Sequence, residues 1–186
     1  MHEKLNEAII ALGSNMGKRE KNIVSAINLL SKVPIIKIEN ISRIYETKPY
    51  KVLIKQENFL NCCLKIFTNL SSQALLGACL GVEAALGRER PYRFASRTID
   101  IDLICYESCK ISTEELYLPH PRSHERSFVM APINDLYPRG LPEYFGFNFG
   151  IKKFKDDSFE NIFSYNEILV NLNCQPSLKC KTQANN

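Results

Sequence analysis

The chain has 186 residues, of which 45% are apolar and 24% charged, and this composition excludes a disordered, collagenous or coiled-coil protein. The formal net charge of +4 allows an anionic ligand without requiring nucleic acid. Seven cysteines show no Cys-x-x-Cys spacing, which favours core thiols in a reducing compartment over a structural zinc site. The acidic N-terminal residues do not form a signal peptide, and no segment approaches ~20 apolar residues, so a cytoplasmic protein is predicted.

The first half of the chain predicts two strands and one helix. The apolar run 8–12 predicts a buried strand that ends at Gly13. Apolar residues then recur at helical spacing over 18–31, so an amphipathic helix is expected to end before Pro34. The β-branched stretch 35–47 predicts one long strand with a bulge, because its alternation is imperfect.

The following segments complete an α+β pattern. Alternating apolar residues over 59–68 predict a strand, and a helix is expected from its N-cap Ser72 to a left-handed Gly87. A further strand over 98–106 is expected to place Ile99, Ile101, Leu103 and Cys105 on one face. The order β-α-β-β-α-β is typical of a ferredoxin-like core with an antiparallel sheet and helices on one face.

The last part of the chain is punctuated by prolines and becomes polar after about residue 138. It has few periodic apolar positions. We therefore expect a domain over 1–138 and a C-terminal extension over 139–186, with a disordered tail of about a dozen residues.

The pair Asp100 and Asp102 is the strongest local signal of chemistry. Residues two apart in a strand point to the same face, roughly 6–7 Å apart along the chain. A solvated edge strand is the simpler interpretation of such a pair. The wholly apolar opposite face favours a packed strand, where two hard oxygen ligands suit Mg²⁺ together with substrate phosphates.

Basic residues precede and follow this acidic strand. A charge run is usually a solvated face, but guanidinium groups bind phosphate oxygens in bidentate pairs. A basic loop that leads into a strand able to hold Mg²⁺ favours a nucleotide site. Candidate phosphate contacts are Arg88, Arg90, Arg93 and Arg97 before the strand, and His120 and Arg126 after it.

Several further motifs occur together in the order and spacing of one known family. They are Ala11-Leu12-Gly13-Ser14-Asn15, Ser42-Arg43-Ile44-Tyr45-Glu46-Thr47, Gly87-Arg88, Arg97-Thr98-Ile99-Asp100-Ile101-Asp102-Leu103, and Leu118-Pro119-His120-Pro121-Arg122 with Glu125-Arg126 and Phe128. Over about residues 8–138 the chain resembles the 6-hydroxymethyl-7,8-dihydropterin pyrophosphokinases of folate biosynthesis. The aspartate run combined with the downstream His-Pro-Arg segment is the most specific part of the resemblance.

The resemblance implies transfer of a pyrophosphoryl group from ATP to the pterin hydroxymethyl oxygen, with release of AMP. It implies that Asp100 and Asp102 hold two Mg²⁺ ions and that Arg88 and Arg97 close over the triphosphate as catalytic residues. The other implied ATP contacts are Glu83, Leu103, His120 and Arg126. The implied pterin contacts are Thr47, Pro49, Tyr50, Phe59, Asn61, Phe94 and Phe128, with Phe59 and Phe128 on either side of the ring.

Two other functions stay open at this point. The family commonly has Trp-Gly-Pro where this chain has Phe94-Ala95-Ser96, so a catalytically impaired relative that acts as a nucleotide-binding, pterin-binding or interaction module is one alternative. An RNA-binding ferredoxin-like module is the other, but its central strands would carry exposed aromatic residues. Ile, Leu and Cys stand there instead. We expect a monomer that binds ATP and the pterin, contacts neither nucleic acid nor membrane, and could associate with other folate enzymes.

Overall fold

One antiparallel sheet organises the chain. The computed structural model describes residues 4–49, 55–92, 95–147 and 159–172. The strands are β1 (Asn6–Ser14), β2 (Ile36–Ile41), β3 (Ile44–Thr47), β4 (Phe59–Thr68), β5 (Asp100–Tyr106), β6 (Ile111–Ser112), β7 (Tyr117–Leu118) and β8 (Asn161–Phe163). The helices are α1 (Arg19–Ser31), α2 (Ser72–Ala85), α3 (Ser127–Leu136) and α4 (Tyr165–Asn171), with short 3₁₀ turns at Ser123–Glu125 and Glu143–Phe145.

The predicted βαββαβ topology is confirmed. The sheet runs in the order β5-β1-β4-β3-β8, and all of its pairings are antiparallel. Strand β2 pairs with the second half of β4, and β3 pairs with the beginning of the same edge of β4. The predicted long strand 35–47 is divided, because the Ser42 hydroxyl accepts the hydrogen bond of the Cys63 N–H at 2.9 Å in place of a backbone carbonyl. The predicted bulge lies between Ile38 and Asn40.

The two core helices cover one face of the sheet, as predicted. The buried stripe of α1 includes Ile23, Ile27 and Leu30, and that of α2 includes Leu75, Cys79 and Val82. Burial of these stripes drives both helices onto the sheet.

The ends of α2 follow from local hydrogen bonds. The predicted N-cap Ser72 is wrong by one residue, because the hydroxyl of Ser71 accepts from the Ala74 N–H at 3.2 Å. Gly87 follows the helix with φ +70°, as predicted for a left-handed terminus.

A third helix covers the opposite face, and the sequence did not predict it. Pro132 lies inside α3, where proline usually breaks a helix. Burial of Val129, Met130 and Ile133 against this face stabilises the helix nonetheless. The prediction for Cys105 is also wrong, because a bulge in the β1–β5 pairing turns its side chain towards α3.

The C-terminal residues 159–172 join the sheet and its core. Strand β8 pairs with β3, and α4 begins with a capping box in which Ser164 and Glu167 exchange hydrogen bonds. Tyr165, Ile168 and Leu169 are buried in the same core cluster as the apolar residues of α1 and α2. The predicted disordered tail lies outside the described residues.

Two features bear on the wider predictions. The five described cysteines are free thiols, and four of them are buried as expected. Within the described ranges, no helix combines the length and the apolar character needed to cross a membrane.

Candidate active site

A cavity of about 630 Å³ lies beside the outer strand β5, on the sheet face that carries α3. Side chains from the sheet, from α2 and from the start of α3 line it. Of the seventeen predicted site residues, twelve meet there: Thr47, Phe59, Asn61, Glu83, Arg88, Arg90, Arg97, Asp100, Asp102, His120, Arg126 and Phe128.

The other five predicted site residues are not among the lining residues. Leu103 is 4% exposed and packs in the core on the opposite side of β5, so its side chain cannot contact a nucleotide in the cavity. Pro49 is half-buried outside the lining. Tyr50, Arg93 and Phe94 lie outside the described residues.

Gly13 at the end of β1 allows the two sides of the cavity to approach each other. It pairs with Asn61 of β4 on one side and Asp100 of β5 on the other. A Cβ atom at this position would lie 3.1 Å from Asn61 Oδ1 and 3.6 Å from Cδ1 of Phe59. The absence of a side chain therefore brings the predicted pterin and metal residues together over β1.

Asp100 carries most of the ionic contacts between β5 and the arginines. Its Oδ1 lies 2.7 Å from Arg88 Nη1, and its Oδ2 lies 2.5 Å from Arg97 Nη1. Burial, followed by the charge of Asp100, raises the pKa of Asp102 to about 6. Asp102 is therefore the carboxylate whose charge a bound cation would stabilise most.

Glu83 holds α2, the arginine loop and β5 together. Its carboxylate, 4% exposed, pairs with Arg88 and, at 3.1 Å, with Arg90, and it accepts the Ile101 N–H at 2.7 Å. That last bond occupies a donor on the outer edge of the sheet. The Arg88 side chain is 9% exposed, and its buried Nε has no hydrogen-bond partner within the described part of the chain.

His120 faces the same cavity as a neutral imidazole. Burial, with the charges of Arg126 and Arg122, lowers the pKa of His120 to about 4. The Arg122 N–H donates to His120 Nδ1 at 3.2 Å, so the ring proton is on Nε2 and can be donated to a ligand. The guanidinium carbon of Arg126 lies 5.7 Å from the centroid of the Phe128 ring.

The residues predicted to bind the pterin lie at the ends of β3 and β4. The Asn61 side-chain amide donates to Thr47 Oγ1 at 2.9 Å, which fixes the orientation of the amide. Phe59 and Phe128 both line the cavity. An oriented amide beside aromatic rings suits a flat heteroaromatic ligand.

A family model described as 7,8-dihydro-6-hydroxymethylpterin-pyrophosphokinase matches residues 9–138. The chain belongs to this family. It is 39% identical over 134 residues to the 2-amino-4-hydroxy-6-hydroxymethyldihydropteridine pyrophosphokinase of Methylorubrum extorquens, covering 72% of this chain and 84% of that one. The Bacillus subtilis enzyme of the same name is 40% identical over 131 residues, covering 70% and 78% of the two chains.

Other proteins that this chain resembles are longer than it is. Bifunctional protein FolKE of Lactococcus lactis is 39% identical over 135 residues, which cover 73% of this chain but only 38% of that protein. A crystal structure of Plasmodium falciparum HPPK-DHPS with pterin and p-hydroxybenzoate has a TM-score of 0.60 at 16% identity, covering 97% of this chain and 46% of that one. The structural match supports the fold.

Three residues contribute to the cavity or to its support without being predicted as site residues. Leu76 and Leu80 line the cavity from α2, and their spacing from Glu83 shows that they share one helix face. Asn15 ends the Ala11-Leu12-Gly13-Ser14-Asn15 motif and is buried outside the lining. Its Oδ1 accepts the Arg97 N–H at 2.9 Å, and its Nδ2 donates to Gln56 at 3.0 Å. Nothing local in the sequence indicates such distant partners.

Proposed function

We propose that Mg²⁺ supports the reaction of this chain, which is the reaction of its family: transfer of a pyrophosphoryl group from ATP to 6-hydroxymethyl-7,8-dihydropterin in folate synthesis. The hydroxymethyl oxygen attacks the β-phosphorus of ATP. The bond from that phosphorus to the oxygen shared with the α-phosphate breaks, the hydroxyl proton is released, and AMP departs.

The donor set at β5 fits a hard cation. Asp100 and Asp102 provide carboxylate oxygens that face the cavity. Among the described residues no third His, Cys, Asp or Glu side chain completes a metal-binding group with them or elsewhere. The remaining ligands would come from ATP phosphates and water, as is usual for Mg²⁺. Two bound ions would neutralise the phosphates and align the reacting oxygens.

The arginines supply the positive charge that the phosphates need. Arg88 and Arg97 contact Asp100 in the structure, and we propose that they exchange this carboxylate for phosphate oxygens when ATP binds. The exchange frees Asp100 for the metal and leaves both guanidinium groups to stabilise charge in the transition state. The unpartnered Nε of Arg88 is the observation that best supports the proposal, because a phosphate oxygen would satisfy it.

The other lining residues take the roles that the family resemblance implies. Neutral His120 donates a hydrogen bond and Arg126 a charged contact to the nucleotide phosphates. Glu83 stays a predicted ATP contact, and its bonds to Arg88, Arg90 and the Ile101 N–H support a role in holding the loop. On the pterin side, Asn61 and Thr47 bind the ring edge, while Phe59 and Phe128 contact its faces. Pro49, Tyr50 and Phe94 stay predictions for that side.

The wider predictions are part of the same proposal. The family match ends at residue 138, which supports catalytic residues within 1–138 and an extension over 139–186 whose residues 159–172 pack onto the same sheet and core. Free thiols at the described cysteines support a reducing, cytoplasmic location. The bond from the Ile101 N–H to Glu83 blocks part of the outer sheet edge, which supports a monomer without excluding association with other folate enzymes.

Product analysis tests the proposed function. Purified protein, ATP, Mg²⁺ and 6-hydroxymethyl-7,8-dihydropterin should give AMP, and its formation should require both the pterin and the metal. Formation of ADP instead would contradict pyrophosphoryl transfer. Binding of both substrates without turnover would support the catalytically impaired relative instead.

A further inference from the structure

A charged cluster outside the cavity lies directly behind its pterin side. Glu46 is near the end of β3, and its carboxylate is 12% exposed. It accepts hydrogen bonds from Arg19 Nη1 at 2.8 Å and from Asn161 Nδ2 at 2.6 Å. Burial disfavours ionisation, but these donors outweigh it and hold the pKa of Glu46 below its ordinary value. The cluster therefore contains an ion pair, with Asn161 as an additional donor.

The end of β3 at Thr47 and the start of β4 at Phe59 carry predicted pterin contacts, and together they are called the pterin wall here. The cluster contacts each of these two segments at the residue just before it. Arg19 Nη1 also donates to the backbone carbonyl of Asn58 at 2.8 Å, immediately before Phe59. Glu46 immediately precedes Thr47, and Thr47 pairs with Phe59 across β3 and β4. A shift of the Arg19 guanidinium would thus move both segments with respect to Asn61.

The C-terminal extension closes the cluster from the outside. The Glu160 N–H donates to the Glu46 carbonyl at 2.9 Å, and β8 pairs with β3 so that Asn161 lies opposite Glu46. The buried residues of α4 keep β8 against the sheet. The extension consequently contributes Asn161, one of the side-chain donors that orient the Glu46 carboxylate, beside those of Arg19 and Asn58.

We infer that Glu46, Arg19 and Asn161 form a positioning cluster that sets the geometry of the pterin wall, with β8 as its outer support. The inference rests on the proposed function. A partly buried ion pair is weak support for stability on its own, because an apolar pair of similar size often stabilises a fold as well. An ion pair differs from an apolar pair in that its hydrogen bonds fix the relative position of the groups they join. Here one guanidinium nitrogen of Arg19 donates both to Glu46 and to the Asn58 carbonyl.

Steady-state kinetics of three variants tests the inference, with thermal unfolding measured alongside. Arg19→Met should raise the KM for the pterin by about tenfold, or about 1.4 kcal/mol, while the KM for ATP changes by less than about twofold. Arg19→Lys keeps a donor and should restore most of the pterin affinity. Asn161→Ala alters an exposed position and should give a smaller shift in the same direction.

A matched control and the contrary outcomes complete the experiment. Lys37→Met removes the cation of the exposed Lys37–Glu39 pair on β2 and should leave both KM values unchanged. Equal shifts in the two KM values of Arg19→Met would overturn the inference, and so would unchanged KM values in a folded Arg19→Met protein. The proposed function would still stand in both cases, as long as the wild-type protein forms AMP. If Arg19→Met fails to fold, an unchanged pterin KM in Asn161→Ala overturns it. A wild-type protein that forms no AMP would overturn both.

Discussion

Arg97 and Asp100 are joined by an ion pair of 2.5 Å within the same short stretch of chain that enters β5. The Arg97 backbone is fixed independently, because its N–H donates to Asn15 and its carbonyl accepts the Asn15 N–H at 3.2 Å. The side chain can therefore change partner while the backbone stays in place. This combination suits a residue that exchanges a carboxylate for phosphate during each reaction cycle.

Arg97→Ala is expected to lower kcat much more than it weakens ATP binding. A guanidinium that stabilises developing charge contributes mainly in the transition state, so a loss of about a hundredfold to a thousandfold in kcat is expected. Steady-state rates and ATP binding by calorimetry measure the two effects. Equal losses in kcat and ATP affinity would assign Arg97 to ground-state binding.

Asp102→Asn is expected to abolish Mg²⁺-dependent turnover without loss of stability. Asp102 is buried near Asp100, so removal of its charge relieves a repulsion in the metal-free protein. AMP formation across a Mg²⁺ titration and thermal unfolding without metal provide the measurements. Normal turnover, or a marked drop in the metal-free melting temperature, would contradict this role.

The sequence predicts most of this site because its chemistry is locally encoded. Period-two alternation placed Asp100 and Asp102 on one face of a strand, and the composition of the preceding loop indicated the arginines. The partners of Asn15 and Glu46 could not be predicted, since their contacts join residues up to 115 positions apart. No periodicity encodes such distances.

The parts of the fold that the sequence missed are those in which tertiary packing overrides a local rule. Pro132 contradicts a helix locally, yet burial on the sheet stabilises α3. A bulge between Ile9 and Ile10 shifts the register of the pairing with β5, so the Cys105 side chain lies on the opposite face from the predicted one. Strand β8 has three residues, which are too few for a recognisable alternation of apolar and polar residues. It forms by backbone pairing with the edge of β3.

Glu83→Ala is expected to destabilise the protein by about 3 kcal/mol, because it breaks a buried ion pair and leaves the Ile101 N–H without its acceptor. Glu83→Gln retains an acceptor for that N–H and should lose less. Urea unfolding at neutral pH compares the two. Equal stability of Glu83→Ala and wild type would show that solvent replaces the carboxylate.

His120 should make stability depend on pH between about 6.5 and about 4. Burial lowers its folded-state pKa to about 4, whereas an unfolded histidine titrates near ~6.5. The unfolded state therefore binds more protons in this window, and stability falls as the pH falls. His120→Asn should flatten this part of the melting-temperature profile. An unchanged profile would mean that other groups cause the slope.

Gly13→Ala is expected to weaken pterin binding in a folded protein. The new Cβ would lie 3.1 Å from Asn61 Oδ1, so the amide must shift by a few tenths of an ångström away from its position beside Thr47. Titration with the pterin, in the presence of a non-reactive ATP analogue, measures the loss.

Gly77→Ala is the matched control, because Gly77 is an exposed position of α2 where a Cβ atom would meet nothing within 4 Å. It should bind the pterin normally and gain about 0.5–1 kcal/mol in stability from the better helix propensity of alanine. If Gly13→Ala also binds normally, the Asn61 amide can be displaced without cost. Its fixed orientation would then not be what recognises the pterin edge.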